Sequence, residues 1–230
     1  MIISGLQKLT LLDFPGHTAC TVFTAGCNFR CGFCHNAPLV TEIDPNAVPE
    51  EEFFAFLETR KGILDGVAIT GGEPLLQKGI VEFMRKIKAM GFKIKLDHNG
   101  TKPELLKQII DEGLVDYVAV DIKNSPEKYA VTAGLTELDL APIKKTVYML
   151  VNGTVDYEFR TTVTQELFEK EDFLKIGEFI KGAKRYFLQQ FKDSGNLIEE
   201  DFFSACDKET MEEYAEVVRP FVGEVQIRGI

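Results

Sequence analysis

A chain of 230 residues, 45% hydrophobic and 27% charged, can bury one sizeable core and has the balance of an ordinary globular protein. Its formal net charge of -10 opposes broad contact with nucleic acid or anionic membrane, and no run of about 18 apolar residues is available to cross a bilayer. The start, "MIISGLQKLTLLDFPG", lacks the basic, apolar and cleavage regions of a signal peptide. Five cysteines, an odd number with Cys20 and Cys206 standing apart, do not make the paired framework of a secreted disulfide scaffold. The expectation is a cytoplasmic protein with neither nucleic acid nor membrane as partner.

In chain order, the apolar, β-branched run "ACTVFT" (19–24) predicts the first strand. A loop with three cysteines, "GCNFRCGFCHN", follows it. "PEEEFFAFLETR" opens a helix over 49–60 with proline and acids, as a helix N-terminus favours. Strand "GVAIT" (66–70) ends in "GGEP", and a helix over 76–90 closes at "KAMG" with a basic residue and glycine. Strand "FKIKL" (92–96) ends in "DHNG" and leads to a helix over 103–111; strand "VDYVAV" (115–120) ends in "DIK" and leads to a helix over 138–150. Strand "DYEFRTTV" (156–163), a helix over 170–181 and strand "RYFLQQF" (185–191) come next. Residues 192–206 read as a long surface connection to a last helix (207–219) and strand "EVQIR" (224–228).

Strand followed by helix, repeated along the chain, predicts an α/β fold of parallel strands joined by right-handed crossovers. Either a doubly wound sheet or a full or partial (β/α) barrel satisfies it. No repeat, low-complexity tract or linker interrupts it, so residues 1–230 are expected to form a single domain, with 192–230 as a C-terminal extension. In such folds ligands bind at the carboxyl ends of the strands. The cysteine loop, "GGEP", "DHNG" and "DIK" all fall there.

Alternation adds detail. Asp156, Glu158, Arg160 and Thr162 share one face of their strand, and Asp121 and Lys123 share a face of theirs. A polar strand face fits a ligand-holding lumen or, for 156–162, the solvated side of an edge strand.

Cys27, Cys31 and Cys34 are spaced C-x3-C-x2-C. Three readings compete: structural zinc completed by His35 or His17, an iron-sulfur cluster, or no cofactor. Three thiolates would leave one iron of a cubane without a protein ligand and open to a small molecule; a fourth from Cys20 or Cys206 would close it into an electron carrier. Cys20, inside a predicted strand, reads as a core residue.

The run "CNFRCGFCHN" with an aromatic residue before its third cysteine, followed by "TGGEP" at a strand end, resembles the radical S-adenosylmethionine enzymes. The opening "TLLDFPGHTACTVFTAGCNFRCGFCHN", "DHNG" and "DIK" are similar to activating enzymes of glycyl-radical proteins, closest to the anaerobic ribonucleoside-triphosphate reductase activating group. The likeness runs from about residue 5 to 191.

The resemblance implies a partial (β/α)6 TIM-like barrel with parallel strands. It implies that Cys27, Cys31 and Cys34 ligate three irons of a [4Fe-4S] cluster, while S-adenosylmethionine chelates the fourth. Reduction then cleaves the cofactor to methionine and a 5'-deoxyadenosyl radical. Gly71 and Gly72 would let the backbone approach that ligand, and Glu73 or neighbouring carbonyls would accept from its ammonium. Asn99 would lie beside it, Asp121 and Lys123 would contact it as the family's "D-x-K", and Arg160 suits its carboxylate. Each of these charges also has a plain reading as an internal ion pair. Phe33 would pack on the cluster side, with His35 and Asn36 shielding the cluster, and Asp97, His98 and Asp121 are candidates for a nearby cation.

The activity so implied is hydrogen abstraction from a glycine of a partner protein, expected to be anaerobic ribonucleotide reductase. Flavodoxin or ferredoxin would be the external electron donor. "CGFCHN" reads more like the pyruvate formate-lyase activator, so a partner of that type is the alternative, beside a radical enzyme acting on a small molecule and a simple iron-sulfur electron carrier. The chain carries no eight-cysteine ferredoxin-like insertion.

Overall fold

The computed structural model describes residues 1–41 and 47–230. Eight strands form a sheet in simple sequence order, β1 to β8. They are β1 (Ile3–Thr10), β2 (Ala19–Thr24), β3 (Gly66–Gly71), β4 (Lys93–His98), β5 (Tyr117–Asp121), β6 (Asp156–Val163), β7 (Tyr186–Gln190) and β8 (Val225–Arg228). The helices between them are α1 (Ala37–Thr41), α2 (Glu50–Glu58), α3 (Ile80–Ala89), α4 (Pro103–Asp111), α5 (Tyr129–Thr132), α6 (Ala141–Val151), α7 (Lys170–Phe179) and α8 (Lys208–Val218).

From β2 onward this is the expected parallel α/β alternation of a partial (β/α)6 TIM-like barrel, with parallel pairing of β2–β3, β3–β4, β6–β7 and β7–β8. β1 is an addition: it runs antiparallel to β2, Thr10 facing Ala19. Its exposed middle, Gln7 to Leu9, gives it no apolar period by which to be read.

Contacts divide the chain into two compact units. One comprises Met1–Asn28, Pro38–His98 and Glu104–Val118; the other comprises Phe29–Ala37, Asn99–Pro103 and Ala119–Ile230. In the first, Val67, Ile69, Ile94 and Leu96 are fully buried, and α3, which packs on β4, buries Phe83, Met84 and Ile87. α3 carries Lys86 and Lys88 in its last turn, where cations oppose the negative end of the helix.

In the second unit the core is aromatic. Tyr129, Tyr157, Phe159, Phe173 and Tyr186 are all fully buried. α7 starts with a reciprocal capping box between Glu169 and Asp172, and α8 starts with Asp207 accepting the Thr210 N–H at 2.7 Å; both satisfy donors that a helix start leaves open.

β6 has neighbours on both sides, β5 and β7, so its polar face is not the solvated side of an edge strand. Glu158, 1% exposed, receives two 2.9 Å hydrogen bonds from the Arg228 guanidinium of β8. That guanidinium also lies 3.4 Å over the Phe187 ring of β7. From Glu158 to Thr162 the polar face of β6 is therefore covered, while Asp156 at its start is exposed.

Candidate functional site

In the first unit, the "GGE" loop is stitched to the start of the cysteine loop. Thr24 and Gly71 are register partners at the ends of β2 and β3. Past them the Gly72 N–H donates to Thr24 O at 2.8 Å, and the Glu73 N–H to Gly26 O at 2.7 Å. Gly71 has φ 113, and a Cβ there would stand 2.4 Å from the Thr24 nitrogen; one on Gly72 would stand 2.1 Å from Gly26 O. Only glycine fits this approach, and it fixes the backbone directly before Cys27. Glu73 is 1% exposed, and its Oε1 accepts the Leu75 N–H at 2.9 Å, so one carboxylate oxygen caps the turn that Pro74 opens. At the end of β4, Asp97 pairs with the buried Lys95, and His98 is 3% exposed.

In the second unit, Asn99 makes a local turn. Its Oδ1 accepts from the Thr101 N–H at 3.2 Å and from the Thr101 hydroxyl at 2.7 Å. Gly100 follows with φ 82, and its carbonyl takes the Thr146 hydroxyl at 2.8 Å.

Asp121, Lys123 and Arg160 do converge. The Lys123 ammonium lies 3.1 Å from Asp121 Oδ2, and Arg160 Nε 2.5 Å from Asp121 Oδ1. Burial disfavours the carboxylate, but the charges of Arg160 and Lys123 outweigh it and hold Asp121 well below the usual carboxylate range. Burial likewise opposes the Lys123 cation, and the charges of Asp121 and Cys31 override it and raise Lys123 above its ordinary value. Both groups are ionised at neutral pH.

This charged strand end faces the cysteine loop. Burial pushes the Cys34 thiol up, while the Asn36 N–H and the Lys123 charge pull it down. Lys123 is thus within electrostatic reach of both Cys31 and Cys34. The loop turns through a Cys34 N–H bond to Cys31 O at 3.0 Å. Cys20, fully buried, has a thiol pushed up to about 12 by desolvation, the mark of an inert core residue. Cys206 is also buried, and all five cysteines are free of disulfides.

The 192–206 connection supplies residues that carry no motif. The Glu199 N–H donates to Gly32 O at 3.0 Å. A Cβ on Gly32 would strike the Phe203 ring at 2.7 Å. Phe33 packs edge-on to Phe203 at 5.7 Å, and His35 edge-on to Phe191 at 5.6 Å. Phe33, one of the residues expected at the cofactor, is thereby 5% exposed with a protein neighbour on its ring. Among the described residues, no three His, Cys, Asp or Glu side chains converge as a single-ion site would require. A cubane does not ask for that, because each thiolate goes to its own iron. No helix among the described residues is long and apolar enough to cross a membrane.

Comparison with known proteins agrees with this geometry. The radical SAM superfamily model matches residues 21–171, a span that runs from before Cys27 to beyond Arg160. A Methanocaldococcus jannaschii protein ascribed to the glycyl-radical enzyme activating enzymes is 32% identical over all of this chain and 96% of its own length. The pyruvate formate-lyase-activating enzyme of Listeria monocytogenes is 30% identical over 78% of this chain and 75% of its own. Among solved structures, QueE from Escherichia coli superposes with TM-score 0.61 over all of this chain and 94% of its own, at 15% identity. TYW1 with a lysine-pyruvate adduct superposes with TM-score 0.64 over 88% of this chain and 73% of its own, at 16% identity; these two show a shared fold. The chain belongs to the radical SAM superfamily and, within it, to the glycyl-radical enzyme activating enzymes.

Proposed function

We propose that the protein abstracts a hydrogen atom from a glycine of a partner protein, and that the partner is an anaerobic ribonucleoside-triphosphate reductase. The cofactors of the superfamily are a [4Fe-4S] cluster and S-adenosylmethionine. The residues present fit them: three cysteines of one loop outside any disulfide, a glycine cradle that a single Cβ would fill, and a preformed cation-carboxylate-cation array within electrostatic reach of that loop. Bound together, these cofactors supply one-electron cleavage of a carbon-sulfur bond and the hydrogen-abstracting species.

The chain's own residues have separable tasks in this reading. Cys27, Cys31 and Cys34 would hold the cluster. Gly71 and Gly72 would admit the ligand's methionine end to bare backbone, with Glu73 holding the loop in shape; Asn99 would hold the turn into Thr101. Lys123 and Arg160 would neutralise the ligand's carboxylate, and Asp121 would keep both cations aimed. Phe33 and the Phe203 ring beside it would keep water from the thiolates. Flavodoxin or ferredoxin would deliver the electron.

The observation that carries the reading is the full-length likeness to the M. jannaschii activating enzyme on a chain whose D-x-K end addresses Cys31 and Cys34. The Listeria relative favours a pyruvate formate-lyase-like partner as the second reading. The test is anaerobic: reconstitute and reduce the enzyme, add S-adenosylmethionine, and look for 5'-deoxyadenosine. Then present each candidate partner and record electron paramagnetic resonance. A glycyl doublet with the reductase alone supports the first reading, and one with the lyase-type protein alone replaces it. No doublet with either, despite turnover of S-adenosylmethionine, overturns glycine activation.

A further inference from the structure

The site reading above leaves unused the short segment from Tyr129 to Gly134, yet this segment touches both halves of the site in the second unit. The Tyr129 phenol is fully buried and donates to the backbone carbonyl of Asp121 at 3.2 Å. Ile122, between Asp121 and Lys123, is held from the other side. Its N–H donates to Arg160 O at 2.8 Å, and its carbonyl takes the Thr161 hydroxyl at 2.7 Å. The strand end that presents Asp121 and Lys123 therefore rests on one phenol on one side and on β6 on the other.

Four residues on, the same segment grips the cysteine loop. The Arg30 N–H, next to Cys31, donates to Ala133 O at 2.8 Å. Gly134 has φ 70, and a Cβ on it would lie 2.0 Å from Arg30 O. α5 is itself anchored: the Asn124 amide donates to the Thr132 hydroxyl at 2.9 Å, and both side chains are buried.

We infer that Tyr129 is a positioning residue for S-adenosylmethionine, its phenol setting the register of Asp121 and Lys123 while its helix holds the loop of Cys31 and Cys34 at a matching height. The inference rests on the assignment of these residues to the cluster and its ligand. A phenol is suited to the task. It donates to a backbone carbonyl and so replaces a ladder partner that the strand end has outrun. Removing the hydroxyl alone frees the Asp121 carbonyl without emptying the ring's space. The carboxylate and ammonium then lose their fixed separation, and ligand affinity falls while the cluster, held by the loop, stays.

The test uses the reconstituted, reduced holoenzyme. Tyr129→Phe is compared with wild type and with Tyr157→Phe, which deletes another fully buried phenol that accepts the Lys184 N–H at 3.1 Å. S-adenosylmethionine is titrated against the cluster's electron paramagnetic resonance signal, and iron per chain and thermal midpoint are measured in parallel. The expected result for Tyr129→Phe is a dissociation constant about 3- to 10-fold higher, as loss of one hydrogen bond implies, with iron content retained. Tyr157→Phe leaves the affinity unchanged. Equal affinity in Tyr129→Phe and wild type, or the same loss in both variants, overturns the inference. Because the readout is ligand binding, that outcome is distinguishable from failure of glycine activation, which appears in the wild type as an absent glycyl signal.

Discussion

Replacing Arg228 with methionine tests whether the C-terminal strand is part of the structural frame of the site. Arg228 keeps much of its stem volume as methionine but loses two 2.9 Å hydrogen bonds to Glu158 and its 3.4 Å stacking on Phe187. The Glu158 side chain is 1% exposed, so its carboxylate would remain in a poorly solvating interior. Breaking a buried pair from one side costs about 3–5 kcal/mol. The Arg228 side chain is 39% exposed, so water can partly replace it, and about 2–3 kcal/mol is the expected loss. For a chain of this size that corresponds to roughly 5–10 °C in thermal midpoint. The assay is anaerobic thermal unfolding of the reconstituted protein, with Glu158→Leu/Arg228→Met alongside. The double variant should recover at least half of the loss, since it removes the buried carboxylate together with the guanidinium. A midpoint within about 2 °C of wild type for Arg228→Met, or a double variant worse than the single, would refute the reasoning.

Gly72→Ala should force the strand ends apart by about 1 Å, because its Cβ would meet Gly26 O at 2.1 Å; iron per chain after reconstitution should fall, and full occupancy would show that the cradle is dispensable. Asp172, 4% exposed, takes bonds from Ser125 at 2.8 Å and Lys128 at 2.7 Å, which outweigh burial and hold its carboxyl below the usual range. Its contribution is therefore complete above the unfolded carboxyl value of about 4 and is lost as pH falls through the lower folded value. Asp172→Asn should cost about 2 kcal/mol at neutral pH, with the gap to wild type closing below about pH 4, as unfolding midpoints at several pH values will report. Phe203→Ala removes the ring set against Phe33 at 5.7 Å; the cluster's visible absorbance should bleach several-fold faster in air, and an unchanged rate would assign the ring to packing alone.

The alternation from β2 to β8 is legible because the parallel strands are short apolar or alternating runs bounded by turn residues, and the predicted 19–24 and 156–163 coincide with β2 and β6. Some helix boundaries shift by a few residues, as in 76–90 against Ile80–Ala89, because the first and last turns lack a period of their own, while 103–111 coincides with α4. The meeting of Asp121 with Arg160 follows from alternation within two separate strands. β1 is invisible for a physical reason: an edge strand whose middle is solvated needs neither apolar alternation nor a long apolar run. The cover from Glu199 and Phe203 is equally unreadable, since an irregular segment held by scattered backbone bonds, such as those of Glu199 to Gly32 and Gln165 to Ser204, and by ring contacts has no periodicity. Tyr129 offers no sign in the sequence either, because its role lies in a hydroxyl meeting a backbone carbonyl of another element.

The bond from Glu199 to Gly32 carries a consequence for biogenesis. The cysteines leave the ribosome early, but the segments that shape residues 29–37, around 121, 133 and 199–203, emerge much later. A nascent chain therefore exposes three flexible thiols for most of its synthesis, and a cluster placed on them then would lack its walls. If Cys27, Cys31 and Cys34 hold the cluster, chains halted before residue 199 would contain those three thiols yet lack the backbone bond from Glu199 to Gly32, and should retain less iron than the finished polypeptide.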